Sequence, residues 1–133
     1  MFVSEPELKP TEENMQIETL NNNGQNIAYV HTTTLILTDV QSALDLMATV
    51  RYETECDAII IDKEALTEDF FDLKTRLAGE IIQKYVNYGI RLAIIGDFSG
   101  YTSKALNDFI YESNQGKHLY FVSDVEEALK KLR

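Results

Sequence analysis

Asp72, Thr75, Arg76, Gly79 and Glu80 stand at i, i+3, i+4, i+7 and i+8, so that partners three and four residues apart would, on an α-helix, lie on one face and within reach of each other. Two carboxylates flanking an arginine can form a polar binding surface or a general acid/base pair, provided that face is turned into a crevice. The same pattern also describes a solvated helix face laced with salt bridges. Gly79 leans towards function: a mid-helix glycine costs about 1 kcal/mol relative to alanine, and close packing of another chain would be a reason to keep it. A second group lies in Gly96-Asp97-Phe98-Ser99-Gly100-Tyr101, where two glycines and a hydroxyl precede a helix and can hold an anion. It matches neither the phosphate-binding loop nor the dinucleotide fingerprint. Asp97 sets a negative charge where a phosphate would approach, and Gly96, Asp97 and Ser99 are also what a helix-capping turn needs, with Tyr101 at its margin.

Other chemistries find no carrier. His31 and His118 are far apart in sequence, and neither has a carboxylate at a helical ligand spacing, so no metal and no cofactor is expected. There is no Gly-x-Ser-x-Gly elbow, so nucleophilic catalysis has no visible residue to carry it. Cys56, the single cysteine, lies between Glu55 and Asp57, whose charges disfavour a thiolate, and reads as structural. The seven tyrosines, among them Tyr85, Tyr88, Tyr101, Tyr111 and Tyr120, suit an interface and the margin of a core equally.

The elements that must position these residues follow from periodicity. Gln16–Leu20 and Asn26–Val30 read as strands around Asn21-Asn22-Asn23-Gly24-Gln25, whose Asn-Gly favours a tight hairpin. Thr38 with Gln41 forms a capping box for a helix on Val40, Ala43, Leu44 and Met47, ending near Val50. Ala58-Ile59-Ile60-Ile61 and Leu92-Ala93-Ile94-Ile95 are unbroken apolar runs, as in parallel strands covered on both faces. Between them the longest helix is expected from Thr67 to Asn87, with Phe70, Leu73, Leu77, Ile81 and Tyr85 on one stripe and Gly89 as its stop. A third helix from about Thr102 to Asn114, a strand over His118–Val122 and a closing helix capped by Ser123 and Glu126 complete the chain. The expectation is an α/β fold of order β-β-α-β-α-β-α-β-α, a mostly parallel mixed sheet with an N-terminal hairpin and helices packed on it. Ligands of such sheets bind beyond the carboxyl ends of the strands, so the loops after Ile61, Ile95 and Val122 are the places for a site.

At 133 residues the chain suits one domain, residues 15–133, behind a mobile acidic leader over residues 1–14. A formal charge of −10 repels phosphate backbones and anionic lipid, so neither nucleic acid nor membrane is an expected partner. No apolar run reaches the roughly 20 residues of a spanning helix, and the start lacks the pattern of a secretory signal, so the location read is cytoplasmic.

Asp39-Val40-Gln41-Ser42-Ala43-Leu44-Asp45, the stretch Phe71–Glu80, Gly96-Asp97-Phe98-Ser99 and Phe109–Asn114 resemble a bacterial family, domain of unknown function 4180, over roughly Gln16 to Leu132. That resemblance implies a fold and no activity. The element order and the ending Phe121–Leu129 are more distantly similar to STAS domains, regulatory modules of the anti-sigma-factor antagonist type. In those a Ser or Thr at the start of the helix after the third strand is phosphorylated by a partner kinase. The matching stretch here, Thr67 to Thr75, departs from the usual Asp-Ser-Ser-Gly, with Thr75 a loose stand-in inside the expected helix. A non-catalytic regulatory or protein-binding module is the leading expectation. The alternative is a small-molecule binder or modest enzyme using a crevice between residues 96–101 and the face of Asp72, Arg76 and Glu80. A homodimer packed through the long helix is compatible with either. A deep pocket joining the two segments would favour the small molecule, a flat surface the protein partner.

Overall fold

Asn23 and Gly24 both hold positive φ, 57° and 87°, the left-handed pair that a two-residue type I′ hairpin requires. In the computed structural model, which describes residues 15–133, this turn joins β1 (Met15–Asn22) to β2 (Gln25–Thr32). The two pair antiparallel from Asn22↔Gln25 out to Met15↔Thr32. The leader expected over residues 1–14 lies outside the described residues. The remaining elements are α1 (Val40–Thr54), β3 (Ala58–Asp62), α2 (Leu77–Asn87), β4 (Arg91–Ile95), α3 (Lys104–Asn114), β5 (Leu119–Val122) and α4 (Val125–Lys131). That is the order expected from periodicity.

The five strands stand in chain order, with β2 to β5 parallel. Because every right-handed crossover then steps one strand in the same direction, α1, α2 and α3 must share one face of the sheet. Packing agrees. Ala43, Met47 and Val50 of α1, Ile81 and Tyr85 of α2 and Leu106 of α3 are buried with Val30, Ile59, Ile61, Leu92, Ile94 and Phe121. On the second face, among the described residues, α4 and its C-cap close the core, through Ala128 and Leu132 against Ile27, Ala58, Ile60, Ala93 and Tyr120. The alternation of side chains along each strand sorts the two sets. Tyr85 resolves as core rather than interface: its hydroxyl, fully enclosed, donates to the Ala43 carbonyl at 2.7 Å and ties α2 to α1.

The two sheet edges differ. β5 is four residues long, and the Asn114 side chain lies along it as a substitute strand. Asn114 accepts the Phe121 N–H at 2.8 Å and donates to the Phe121 carbonyl at 3.2 Å. β1 is eight residues long and receives no such cover from the described residues.

The main departure from expectation is the helix drawn from Thr67 to Asn87. Its first half is two successive 3-10 turns, Glu68–Phe71 and Leu73–Thr75, which follow a third over Lys63–Ala65, and only Leu77–Asn87 is α-helical. Side chains that compete for the backbone explain the break. The Asp72 carboxylate accepts the Lys74 N–H at 3.2 Å. The Thr75 hydroxyl sits 2.7 Å and 2.8 Å from the carbonyls of Asp69 and Asp72 and accepts the Leu77 N–H at 3.2 Å. Arg76 then adopts φ 66°, a left-handed turn that no continuous helix contains. Smaller shifts follow one rule: where Asp adjoins Thr or Ser, Asp is the cap. Asp39, with Ser42, caps α1 in place of Thr38 with Gln41, and Asp124 caps α4 in place of Ser123 with Glu126. Ser103 caps α3, which begins at Lys104 rather than Thr102.

Candidate functional site

The strands β3, β4 and β5 deliver Lys63, Gly96 and Ser123 to one end of the sheet, the end where parallel sheets bind ligands. Lys63 folds its stem against Gly96 so closely that a Cβ there would lie 2.7 Å from the Lys63 Cβ and 3.0 Å from its Cδ. Glycine is therefore required at 96 by close approach. The Lys63 ammonium comes to rest 5.4 Å from the Phe71 ring centre, 5.3 Å from that of Tyr101 and 3.7 Å from a Glu68 oxygen. Tyr101 stacks on Phe71 at 5.3 Å and its hydroxyl donates to Glu68 at 3.2 Å. The Tyr101 hydroxyl beside it, more than the carboxylates of Glu68 and Glu64, holds the Lys63 ammonium above the ordinary lysine range. An ammonium so held is a fixed positive charge, not a nucleophile.

Next to this cluster, Asp97 Oδ1 accepts the Ser99 N–H at 2.9 Å and the Ser99 hydroxyl at 2.6 Å, which holds its carboxyl below the ordinary range. Ser123 likewise turns its N–H (2.8 Å) and hydroxyl (3.0 Å) onto Glu127. An open cleft of about 520 Å³ lies between, lined by Gly96, Asp97, Phe98, Phe121, Val122, Ser123 and Glu127. The Ser99 donors that a bound anion would use are engaged by Asp97, and the cleft presents carboxylates and aromatic edges instead.

The residues expected along one helix face are not on one. Asp72 and Thr75 belong to the 3-10 turn, Arg76 is the left-handed junction, and only Gly79 and Glu80 lie in α2. Among the described residues, no hydrogen bond or ion pair joins Asp72, Thr75, Arg76 or Glu80 to Gly96, Asp97, Ser99 or Tyr101. The loop of residues 96–101 meets Lys63, Glu68 and Phe71 instead. Of those three only Lys63 was legible as the start of the loop after Ile61, since Glu68 and Phe71 fall inside the helix expected from Thr67. Ser123 was legible as the start of the loop after Val122, whereas Glu127 lies in the closing helix.

A third group escaped the sequence altogether. On the second face of the sheet, clear of α4, Glu18 and His31 meet at 2.8 Å, His31 and Tyr29 rings lie 4.0 Å apart, and Tyr29 donates to Asp62 at 2.8 Å. Counting outward from the Asn23-Gly24 turn would have found the first contact, since it sets Glu18 opposite Tyr29 and diagonal to His31. Burial first, and then the Asp62 hydrogen bond, push the Tyr29 phenol up to about 12 from 10.0. A phenol with a raised folded pKa is neutral in the native state while the unfolded chain ionises, so its contribution is complete below pH 10.0 and is lost as pH climbs towards about 12. Tyr29→Phe is expected to make the fall of the urea midpoint over that interval shallower. An unchanged slope would assign the alkaline transition to other groups, Tyr85 and Tyr101 among them, whose pKa values burial also raises.

Among the described residues, no three of His, Cys, Asp and Glu are placed to hold a metal ion together, and no helix is long and apolar enough to cross a membrane. Neither a curated protein nor a solved structure matches the chain. One family profile does, described as Domain of unknown function (DUF4180), over residues 22–132, the span from the hairpin turn through the carboxyl-end loops to α4. The chain belongs to that family.

Proposed function

We propose that this domain is a cytoplasmic, bacterial, non-catalytic regulatory module that binds a protein partner through the surface where α2 begins. One observation carries the reading: two exposed positions three residues apart hold residues that oppose local stability. Arg76 occupies a left-handed conformation, φ 66°, that glycine would adopt at lower cost. Gly79 sits in the first turn of α2 with nothing within 4 Å of where a Cβ would stand. Stability would choose glycine at the first and alanine at the second, so another constraint sets both. A surface that must present the guanidinium of Arg76 and admit a partner's backbone at Gly79 satisfies it. Asp72, Thr75 and Glu80 are exposed around them, and the cleft of the molecule lies elsewhere, at β4 and β5. A surface of exposed polar side chains suits a protein better than a small ligand.

The STAS-like character of the module fits the element order and the position of Thr75, which stands directly ahead of α2 and not inside it. A phosphoryl group there would replace its bonds to the Asp69 and Asp72 carbonyls and bring a dianion beside the Asp72 carboxylate, which remodels the same surface.

Gly79→Ala is the sharpest test because it separates folding from binding. It is expected to stabilise the domain by about 0.5–1 kcal/mol, raising the melting midpoint by about 2–4 °C. Immobilised Gly79→Ala and Asp72→Ala/Glu80→Ala proteins should nonetheless lose a partner that the wild type captures from its own lysate. Equal capture by all three would sink the proposal, as would capture of nothing by the wild type.

The second reading, a small-molecule binder or modest enzyme, rests on the cleft at Gly96, Asp97, Ser123 and Glu127. It predicts a ligand whose thermal shift is lost on Asp97→Ala/Glu127→Ala and kept on Asp72→Ala/Glu80→Ala.

A further inference from the structure

Among the described residues, the sheet closes one edge and leaves the other ready to pair. In a two-residue hairpin the residues flanking the turn exchange both hydrogen bonds, so Asn22, Leu20, Glu18 and Gln16 bond to β2. Met15, Ile17, Thr19 and Asn21 therefore aim their N–H and C=O groups away from the sheet. Among the described residues, no backbone or side-chain group bonds to the main chain of Ile17, Thr19 or Asn21 on that side. At β5 the corresponding outward groups of Phe121 are occupied by Asn114. Among the described residues, the devices that usually protect an edge strand are absent from β1. It has no proline, no lysine and no break in its register over eight residues. Its single charged residue, Glu18, is engaged by His31 at 2.8 Å.

We propose that β1 is the interface of a homodimer, two copies pairing antiparallel through Gln16–Asn22 about a two-fold axis at Thr19. The strand's own sequence selects that partner and that register. A two-fold axis normal to the sheet keeps each face on its side, so outward-bonding residues must meet outward-bonding residues. An axis at Thr19 pairs Thr19 with Thr19 and Ile17 with Asn21, and sets Glu18 opposite Leu20, using nearly the whole strand. An axis at Glu18 would oppose two carboxylates, and axes further along would shorten the paired stretch. The half-buried Met15 and Ile17, which already pack on the core, gain cover in the joined sheet. Each copy carries a formal charge of −10, so the association should tighten as salt is added. This interface is separate from the α2 surface proposed for a protein partner and stands or falls without it.

The test is sedimentation of the full chain over a concentration series. The expected result is a species of twice the 15.2 kDa chain mass, in equilibrium with the monomer. Thr19→Pro removes an N–H that β2 does not use, a change edge strands tolerate, and should weaken dimerisation by at least about tenfold. Thr19→Cys places two thiols on a pair about 5.5 Å apart between Cα atoms, within disulfide reach, and should form a disulfide-linked dimer on mild oxidation. Glu18→Cys, about 7–8 Å from its counterpart on the diagonal, should not. Should Thr19→Pro melt early, the cysteine pair decides alone. A chain that stays monomeric throughout overturns the proposal, including one whose Thr19 amide is protected from exchange by another segment of the same chain. A dimer that Thr19→Cys fails to cross-link moves the interface away from β1 and overturns it equally.

Discussion

Gly96→Ala is expected to lower the stability of the domain by about 2–3 kcal/mol, the upper part of the range for overpacking. The added methyl would stand 2.7 Å from the Lys63 Cβ, an atom fixed to the backbone and unable to swing aside, and 3.3 Å from the Phe98 ring. Relief requires the exit of β3 to move, and with it Lys63, which Tyr101, Phe71 and Glu68 hold in place. Urea denaturation measures the loss. Two controls make it specific. Gly100→Ala, with nothing within 4 Å of its Cβ position, should change little. In a Lys63→Gly background the Gly96→Ala penalty should largely vanish, since the colliding atoms are gone. A Gly96→Ala protein as stable as wild type would mean that the β3 and β4 ends are not in the close contact described above.

Asn114→Ala carries the second large effect, a loss of about 2 kcal/mol. Removing the amide leaves both the Phe121 N–H, bonded at 2.8 Å, and the Phe121 carbonyl, bonded at 3.2 Å, without partners. A buried group left unsatisfied costs about 1–3 kcal/mol, and partial access of water to an edge reduces the sum. Asn114→Asp should recover part of the loss, because a carboxylate still accepts the N–H while facing the carbonyl with like polarity. The readout is the urea midpoint, followed by turbidity on heating, since an opened β5 edge can recruit other chains. A change within about 0.5 kcal/mol for Asn114→Ala, the size of an ordinary surface substitution, would show that water serves Phe121 as well as the amide does.

Much of this architecture is legible because burial on two faces writes itself into composition: Ala58–Ile61 and Leu92–Ile95 can hardly be anything but central strands. Asn23-Gly24 fixes the hairpin with equal force, since few other pairs accept two positive φ angles. The stretch from Thr67 to Arg76 is different. Phe70, Leu73 and Leu77 recur at three and four residues, a spacing that successive 3-10 turns satisfy as well as an α-helix. The contrary signal was present in Thr67, Asp69, Asp72 and Thr75, residues that bind their own backbone and so favour turns. Misreading it also placed Asp72, Thr75 and Arg76 on a helix face they do not share. The site at the carboxyl ends was legible in position and not in membership. Chain order reveals which loops converge, but only packing reveals that Lys63, and not Arg76, reaches Tyr101.

The strict succession of the strands along the chain also governs how the molecule assembles. Each new strand lands beside the one just laid down, yet from β2 onwards every pairing is parallel and spans a helical crossover, the kind of long-range pairing that forms slowly. The second face matures on another schedule. Ile27, Ala58, Ile60 and Ala93 are in place early, yet the helix that shelters them, α4, is made only after all five strands. While the chain is still emerging, that greasy half of the sheet waits uncovered. The vulnerable moment in the life of this protein is therefore the interval before α4 docks, when chaperones and neighbouring nascent chains compete for the same surface.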